Sequence, residues 1–108
     1  MLDIYFVPSS CSTMPKDPRG LVHAGSIDFD AHRSLAVVFD QCGQAGANLS
    51  YFDDSLLPLE QIVTMQRVFD ENTSSLGAHS GQTAAFKAIR GILDRAEERG
   101  MGLAAFCD

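Results

Sequence analysis

Residues 80–106, SGQTAAFKAIRGILDRAEERGMGLAAF, join the clearest helical pattern of this chain to a short apolar run. The apolar side chains that share one helix face are Ala85, Phe86, Ile89, Leu93 and Ala96. Ser80 is a residue type that caps a helix N-terminus, and Gly100 after Arg99 is typical of a helix end. The run Leu103 to Phe106 predicts a strand. A helix followed directly by a strand indicates a mixed α/β fold.

The same helical spacing predicts two further helices earlier in the chain. The apolar stripe of the first consists of Leu35, Val38, Phe39 and Cys42. Asp28 or Asp30 caps this helix, and Gly46 ends it. The stripe of the second contains Leu59, Ile62, Val63, Phe69, and either Met65 or Gln66. Pro58 fits the first turn of this helix, where its missing N–H costs nothing.

Two other segments are predicted as strands, at residues 2–7 and 49–52. Residues 9–26, rich in proline, glycine and serine, are interpreted as a long loop, as are the polar residues 71–80. The chain is therefore predicted to form one domain over residues 1–108. Its expected fold is a small two-layer α/β sandwich of three short strands and three helices, in the order β-loop-α-β-α-α-β. The connection between the first two strands is long enough for a parallel crossover.

Composition excludes several classes of protein. No apolar run approaches the roughly 18 residues of a membrane span, and the N-terminus, Met1-Leu2-Asp3-Ile4, lacks the basic region of a secretory signal. The 108 residues carry a net charge of −6, which disfavours nucleic acid as a partner. Three cysteines without C-x-x-C spacing favour free thiols, so we expect a cytoplasmic protein without a disulfide framework or a structural zinc site.

The net charge is concentrated in the middle of the chain. Residues 28–75 hold eight acidic and two basic side chains and so carry the whole −6, while the segments on either side are neutral. Acidic side chains that share one face would steer a basic partner, although a solvated surface alone is also consistent with them. No calcium-loop spacing surrounds Asp53-Asp54 or Asp70-Glu71, so we expect no metal ion.

No motif in the chain indicates a catalytic mechanism. His23, His32 and His79 show no zinc-binding spacing, and no glycine-rich phosphate loop is present, so we expect neither an enzyme nor a cofactor. Cys42 lies on an apolar stripe and is expected to be buried. The alternative is a small cytosolic enzyme that uses Cys11 or His23 on the long N-terminal loop.

Residues 49–62, LSYFDDSLLPLEQI, pair a predicted strand with a helix that has a Leu-x-x-Glu-Gln type of start. With the small acidic α/β frame, this segment resembles immunity proteins of bacterial polymorphic toxin systems, including contact-dependent growth inhibition. The resemblance covers the architecture and roughly residues 29–75. It implies a non-catalytic toxin inhibitor that binds one cognate toxin domain. Many such toxins are basic nucleases, which would account for a concentrated acidic face.

The resulting hypothesis is an immunity protein that acts through protein–protein interaction at an acidic surface. The candidate partner-binding residues are Asp28, Asp30, Asp40, Asp53, Asp54, Asp70 and Glu71. Tyr51 and Phe52 are expected in the core of a strand; if exposed, they would serve as aromatic anchors for the partner. A non-catalytic adaptor subunit of a larger assembly is a further alternative.

Overall fold

The computed structural model describes residues 1–73 and 80–107, with the side chains of residues 80–82 outside the description. The helices and strands in that part of the chain are, in order, β1 (Leu2–Val7), β2 (Val22–Ile27), α1 (Phe29–Ser34), α2 (Ala36–Gln44), β3 (Ser55–Leu57), α3 (Leu59–Glu71), α4 (Ser80–Glu98) and β4 (Gly102–Cys107). The mixed α/β class is confirmed, but four strands and four helices replace the predicted three of each. The predicted loop over residues 74–79, with His79, and the Ser80 side-chain cap lie outside the described residues.

The four strands form one sheet in the order β2-β1-β4-β3, and every neighbouring pair is antiparallel. The connection between the predicted strands at residues 2–7 and 49–52, long enough for a parallel crossover, does not form one in this sheet. The first two strands pair directly, since β2 folds back on β1 with Leu2 opposite Ile27. β4 then lies on the other side of β1, with Leu2 opposite Cys107.

One face of the sheet forms the core together with the helices. Side chains alternate along β1, so that Leu2, Ile4 and Phe6 point to one face, and all three are buried in one cluster with residues of every helix except α1. Most residues of the predicted helical stripes lie in this cluster, including Phe39 of α2 and Phe86 of α4, but Leu59 and Val63 of α3 do not. On the opposite face, Tyr5 contacts His23 and Phe106 in edge-to-face geometry.

The ends of the helices follow the predicted caps, with two changes. The first predicted helix is divided into α1 and α2 at Leu35, which is the N-cap of α2. The Asp28 carboxylate accepts a hydrogen bond from the Ala31 N–H, 2.7 Å away, and so caps α1. Gly46 lies just beyond α2 with φ +98° and Gly100 just beyond α4 with φ +63°, a left-handed conformation that glycine adopts without strain. Pro58 is the N-cap of α3 rather than a residue of its first turn.

Three local predictions are wrong. Residues 49 and 50 are irregular and residues 51–53 form a bend, so the predicted strand over residues 49–52 is wrong. The Ser50 hydroxyl accepts the Phe52 N–H, and the Ser50 N–H donates to the Ser55 hydroxyl, in competition with strand pairing. The predicted loop over residues 9–26 contains most of β2, which is stabilised by pairing with distant β1. On α3, Val63, predicted on the buried face, is 50% exposed, whereas Val68, outside the predicted stripe, is buried.

The edge of β2 is irregular. The register with β1 shifts between Ile4 and Tyr5, and Ala24 is the extra residue of this bulge. The Arg95 guanidinium of α4 donates a hydrogen bond to the Ala24 carbonyl over 2.7 Å. A Cβ added to the next residue, Gly25, would come within 2.6 Å of the Ile92 side chain, so α4 packs directly against this strand.

Candidate partner-binding surface

Three aromatic side chains, Phe29, Tyr51 and Phe52, form an aromatic patch on the surface. Their ring centroids lie 5.4 to 6.1 Å apart in edge-to-face or tilted arrangements. Phe52 is 71% exposed and Phe29 44% exposed. The expectation that Phe52 would lie in the core is therefore wrong. Two exposed phenylalanines in mutual contact present apolar area that a partner can cover.

The aromatic patch is anchored to the core through His32. The His32 ring stacks on buried Phe39, with centroids 4.4 Å apart and planes 6° from parallel. Its Nε2 lies 3.3 Å from the Leu49 carbonyl, which can only accept, so the tautomer with the proton on Nε2 donates a hydrogen bond here. The same ring contacts Tyr51 over 5.6 Å. Helix α1 therefore fixes residues 49–51 next to α2.

Four of the seven predicted partner-binding acids lie in the segments that carry this patch, and a fifth lies on α2 beside it. Asp28 and Asp30 flank Phe29 in the chain, and Asp53 and Asp54 directly follow Phe52. The fifth, Asp40, is exposed on α2 and lines a groove together with Tyr51 and Phe52. We call these five side chains the carboxylate rim.

Most of the carboxylate rim has no basic side chain beside it. Within residues 1–73 and 80–107, no lysine, arginine or histidine lies within 4 Å of Asp28, Asp40, Asp53 or Asp54. Asp28 and Asp54 instead accept backbone N–H groups, the latter from Cys107 over 2.8 Å. Asp30 faces Arg33 at 3.5 Å, with both side chains largely exposed. The rim therefore keeps its negative charge for solvent or a partner.

The other two predicted acids, Asp70 and Glu71, lie at the end of α3, away from the aromatic patch. Asp70 accepts a hydrogen bond from the Arg90 guanidinium of α4, and Glu71 lies 3.8 Å from Arg67. Arg90 also donates to Asp94 over 2.8 Å and to the Gln66 carbonyl over 3.2 Å. The contacts of Arg90 with Asp70 and the Gln66 carbonyl link α3 to α4, whereas the Arg67–Glu71 and Arg90–Asp94 pairs lie within one helix each. Most of the negative charge here is thus matched within the chain.

Protonation equilibria reflect these ion pairs. The hydrogen bond to Asp70 is the largest influence on the Arg90 guanidinium and raises its pKa. Burial is the largest influence on Asp94 and would raise the pKa of its carboxyl. The hydrogen bonds from Arg90 and Gln66 together with the Arg90 charge outweigh it, so the pKa of Asp94 lies below its ordinary value.

The groove beside the aromatic patch lies between α2 and residues 48–52. Its volume is about 590 Å³, and aromatic rings form much of its wall. His32 and Tyr51 line it together with the Asp40 carboxylate and the side chains of Gln44 and Asn48. Sequence reasoning identified Asp40 and Tyr51 but missed Phe29 and the groove. The available signal was an apolar residue, Phe29, between two acids at a helix start.

The residues proposed for a catalytic alternative lie elsewhere. His23 is on the face of the sheet opposite the core, where its Nε2 lies 3.2 Å from the Ser26 hydroxyl. That hydroxyl donates to Asp3 over 2.6 Å, so serine lies between the other two groups. In a hydrolase triad the imidazole takes this middle position and removes the serine proton. The Cys11 thiol donates to the Thr13 carbonyl over 3.2 Å.

The predicted burial of Cys42 is confirmed, and burial raises the pKa of its thiol to about 11.

Among the described residues, no group of three or more histidine, cysteine or acidic side chains could hold a metal ion. None of the described helices combines the length and the apolar character that crossing a membrane requires.

Comparison with protein families, with curated proteins and with solved structures gave no match for this chain. The resemblance to immunity proteins is therefore a hypothesis that stands on the sequence pattern alone.

Proposed function

We propose that this protein is a bacterial immunity protein that binds a cognate toxin domain and neutralises it without catalysis, in the cytoplasm. The observation that carries the proposal is the aromatic patch with its carboxylate rim. Phe52 and Phe29 are exposed in a cluster, and four of the five surrounding acids have no ion-pair partner among the described residues. The complementary partner is a basic protein surface, such as that of a nuclease toxin.

The aromatic patch supplies a physical basis for affinity. Energetically dominant residues of protein interfaces are usually buried aromatic anchors surrounded by groups that exclude water. Phe52 is already held by contacts with Phe29 and Tyr51, so its ring loses little freedom on binding. Truncation of such an anchor costs about 2 kcal/mol, which is roughly 30-fold in affinity.

The carboxylate rim supplies a basis for selectivity and for the rate of association. Charges at the edge of an interface act mainly on the rate at which a partner of opposite charge is captured. They also disfavour acidic surfaces, because like charges would be forced together. An inhibitor that must find one basic toxin domain among many cytoplasmic proteins benefits from both effects.

The decisive experiment uses the toxin gene neighbourhood that such a protein would have. The protein encoded directly upstream is expressed in bacteria alone and together with this chain. We expect the upstream product to arrest growth when alone, and co-expression to restore growth through a stable one-to-one complex. A harmless upstream product that forms no complex would contradict the proposal.

Variants then connect neutralisation to the proposed surface. Phe52→Ala is expected to weaken the complex roughly 30-fold and to reduce growth rescue. Val63→Ala is the matched control, because it also removes exposed apolar area, but from α3. Equal loss of rescue in both variants would argue against the aromatic patch as the binding surface.

Two alternatives have distinct readouts. An enzyme that uses Cys11 would show alkylation of Cys11 at neutral pH well before Cys107, whereas Cys42 reacts last in any case because its thiol pKa is about 11. An enzyme that uses His23 would have to rotate the Ser26 hydroxyl away from Asp3. An adaptor subunit would self-associate or enter a larger assembly on a sizing column.

A further inference from the structure

We infer that the groove between α2 and residues 48–52 binds one arginine side chain of the partner. The inference rests on the proposed function and adds the chemistry of the contact. It assigns to Asp40 the role of ion-pair partner and to Tyr51 and Phe52 the role of stacking surfaces. The occupant is a planar cation presented by a basic protein.

The walls of the groove are held in place before any partner arrives. His32 is fixed between the Phe39 ring and the Leu49 carbonyl, and it contacts Tyr51 in turn. Tyr51 contacts Phe52 over 5.4 Å. A flat ligand can stack on an aromatic wall. Because this wall is already ordered, binding costs little conformational entropy in the protein.

Most polar side chains that line the groove have an oxygen atom that can accept a hydrogen bond. Asp40 contributes a carboxylate, and Gln44, Asn48 and Ser50 contribute amide and hydroxyl oxygens. The lining residues within the described chain include no lysine or arginine. A Cβ on Gly43 would lie 2.8 Å from Oδ1 of Asn48, so this glycine makes room for the amide against α2.

These features distinguish arginine from other occupants. A guanidinium carries five N–H donors in one plane and stacks on aromatic faces while it pairs with a carboxylate. A lysine ammonium pairs with Asp40 but gains less from the aromatic wall. A neutral side chain of the same shape gains the stacking and loses the ion pair.

The test measures binding of short peptides to the full-length protein by amide chemical shifts. The probes are three blocked tripeptides, glycine-X-glycine, in which X is arginine, lysine or citrulline, the neutral isostere of arginine. We expect saturable shifts for the arginine peptide, centred on residues 39–52, weaker binding of lysine and weakest binding of citrulline. Citrulline binding equal to arginine would overturn the proposal. So would unsaturated shifts spread over all acidic residues.

Asp40→Asn is the specific variant, and Glu60→Gln on α3 is the control, since both remove one exposed carboxylate. We expect Asp40→Asn to weaken binding of the arginine peptide about fivefold to tenfold, because a charge-assisted hydrogen bond is lost. Glu60→Gln is expected to leave binding unchanged. If both variants weaken binding equally, the arginine peptide is held only by general electrostatic attraction, and the proposed arginine site is wrong.

The same variants separate this inference from the proposed function. If Phe52→Ala weakens the toxin complex and Asp40→Asn does not, the arginine site is wrong and the immunity function stands. If the arginine peptide binds in an Asp40-dependent manner while no toxin is neutralised, the site stands and the immunity function is wrong.

Discussion

The carboxylate rim and the groove between α3 and α4, which Asp70, Arg90 and Asp94 help to line, both contain several acidic side chains but use them differently. We call the second region the α3–α4 groove. Beside α3 and α4, Asp70 and Asp94 accept hydrogen bonds from Arg90, and Glu71 faces Arg67. In the rim, Asp40 and Asp53 have no basic side chain within 4 Å in the described chain. The same residue type therefore holds two helices together in one region and leaves charge for a partner in the other.

The comparison shows why a cluster of acids in a sequence is ambiguous. Residues 28–75 carry a net charge of −6, but the arginine that pairs with Asp70 comes from position 90, outside that block. Only the fold decides which acids are matched. We expect changes in the rim to alter the rate of association with a partner, and changes in the α3–α4 groove to alter the free energy of unfolding.

The largest effect is expected from reversal of charge in the rim. Asp40→Lys/Asp53→Lys should slow association with the basic partner by about 30-fold to 100-fold, because repulsion replaces attraction during the encounter. Glu97→Lys/Glu98→Lys gives the same change in net charge on exposed positions of α4. Stopped-flow association rates compare the two. Equal slowing would mean that only the total charge matters.

Loss of Arg90 should instead affect the free energy of unfolding. Arg90→Met removes hydrogen bonds to Asp70, Asp94 and the Gln66 carbonyl, and we expect a loss of about 1–2 kcal/mol. Lys87→Met removes an exposed cation from the same helix and serves as control. Urea denaturation measures both. An Arg90 variant as stable as the Lys87 variant would contradict the structural role of these ion pairs.

Neutralisation of the rim tests its electrostatics without repulsion. Asp53→Asn/Asp54→Asn should slow association about fivefold and flatten its dependence on salt. The amide oxygen introduced at position 54 can still accept the Cys107 N–H, so stability is expected to stay within about 0.5 kcal/mol of the parent. Association rates that are unchanged at low salt would rule out this part of the rim.

The smallest effect concerns pH and the α3–α4 groove. The pKa of Asp94 is lowered in the folded state, so its ionised form stabilises the fold above the pKa of the unfolded chain. This contribution, under about 1 kcal/mol, is lost as the pH falls through the folded-state value. Urea denaturation between pH 7 and pH 3 should show a smaller loss for Asp94→Asn than for the parent. Identical pH profiles would contradict the assignment.

Local signals in the sequence predicted the helices better than the strands. The buried stripe of Phe39 and Cys42 and the helix end at Gly46 depend on residues close in the chain, and both are confirmed. Asp28 caps a helix as predicted, but that helix is the short α1 and not the one that carries the stripe. Strand β2 depends on pairing with β1, about 20 residues away, so its Ala24-Gly25 centre gave no strand signal.

The candidate surface could be predicted only in part. The acids of the rim were identified from their density in the sequence; four of them lie in the segments of the aromatic patch, and Asp40 lies on α2 beside it. The exposure of Phe52 could not be predicted, because an apolar run normally indicates burial. Hydrogen bonds of Ser50 bend the chain locally and prevent it from forming the expected strand.

The bulge at Ala24 has a consequence for behaviour at high concentration. β2 is an edge strand, and regular edges invite pairing with another chain and growth into fibrils. Here the extra residue interrupts the regular spacing of backbone hydrogen-bonding groups, and the Ala24 carbonyl already accepts a hydrogen bond from the Arg95 guanidinium. Because Arg95 occupies this carbonyl, it is not free to accept an N–H from a strand added at the β2 edge, which disfavours aggregation there.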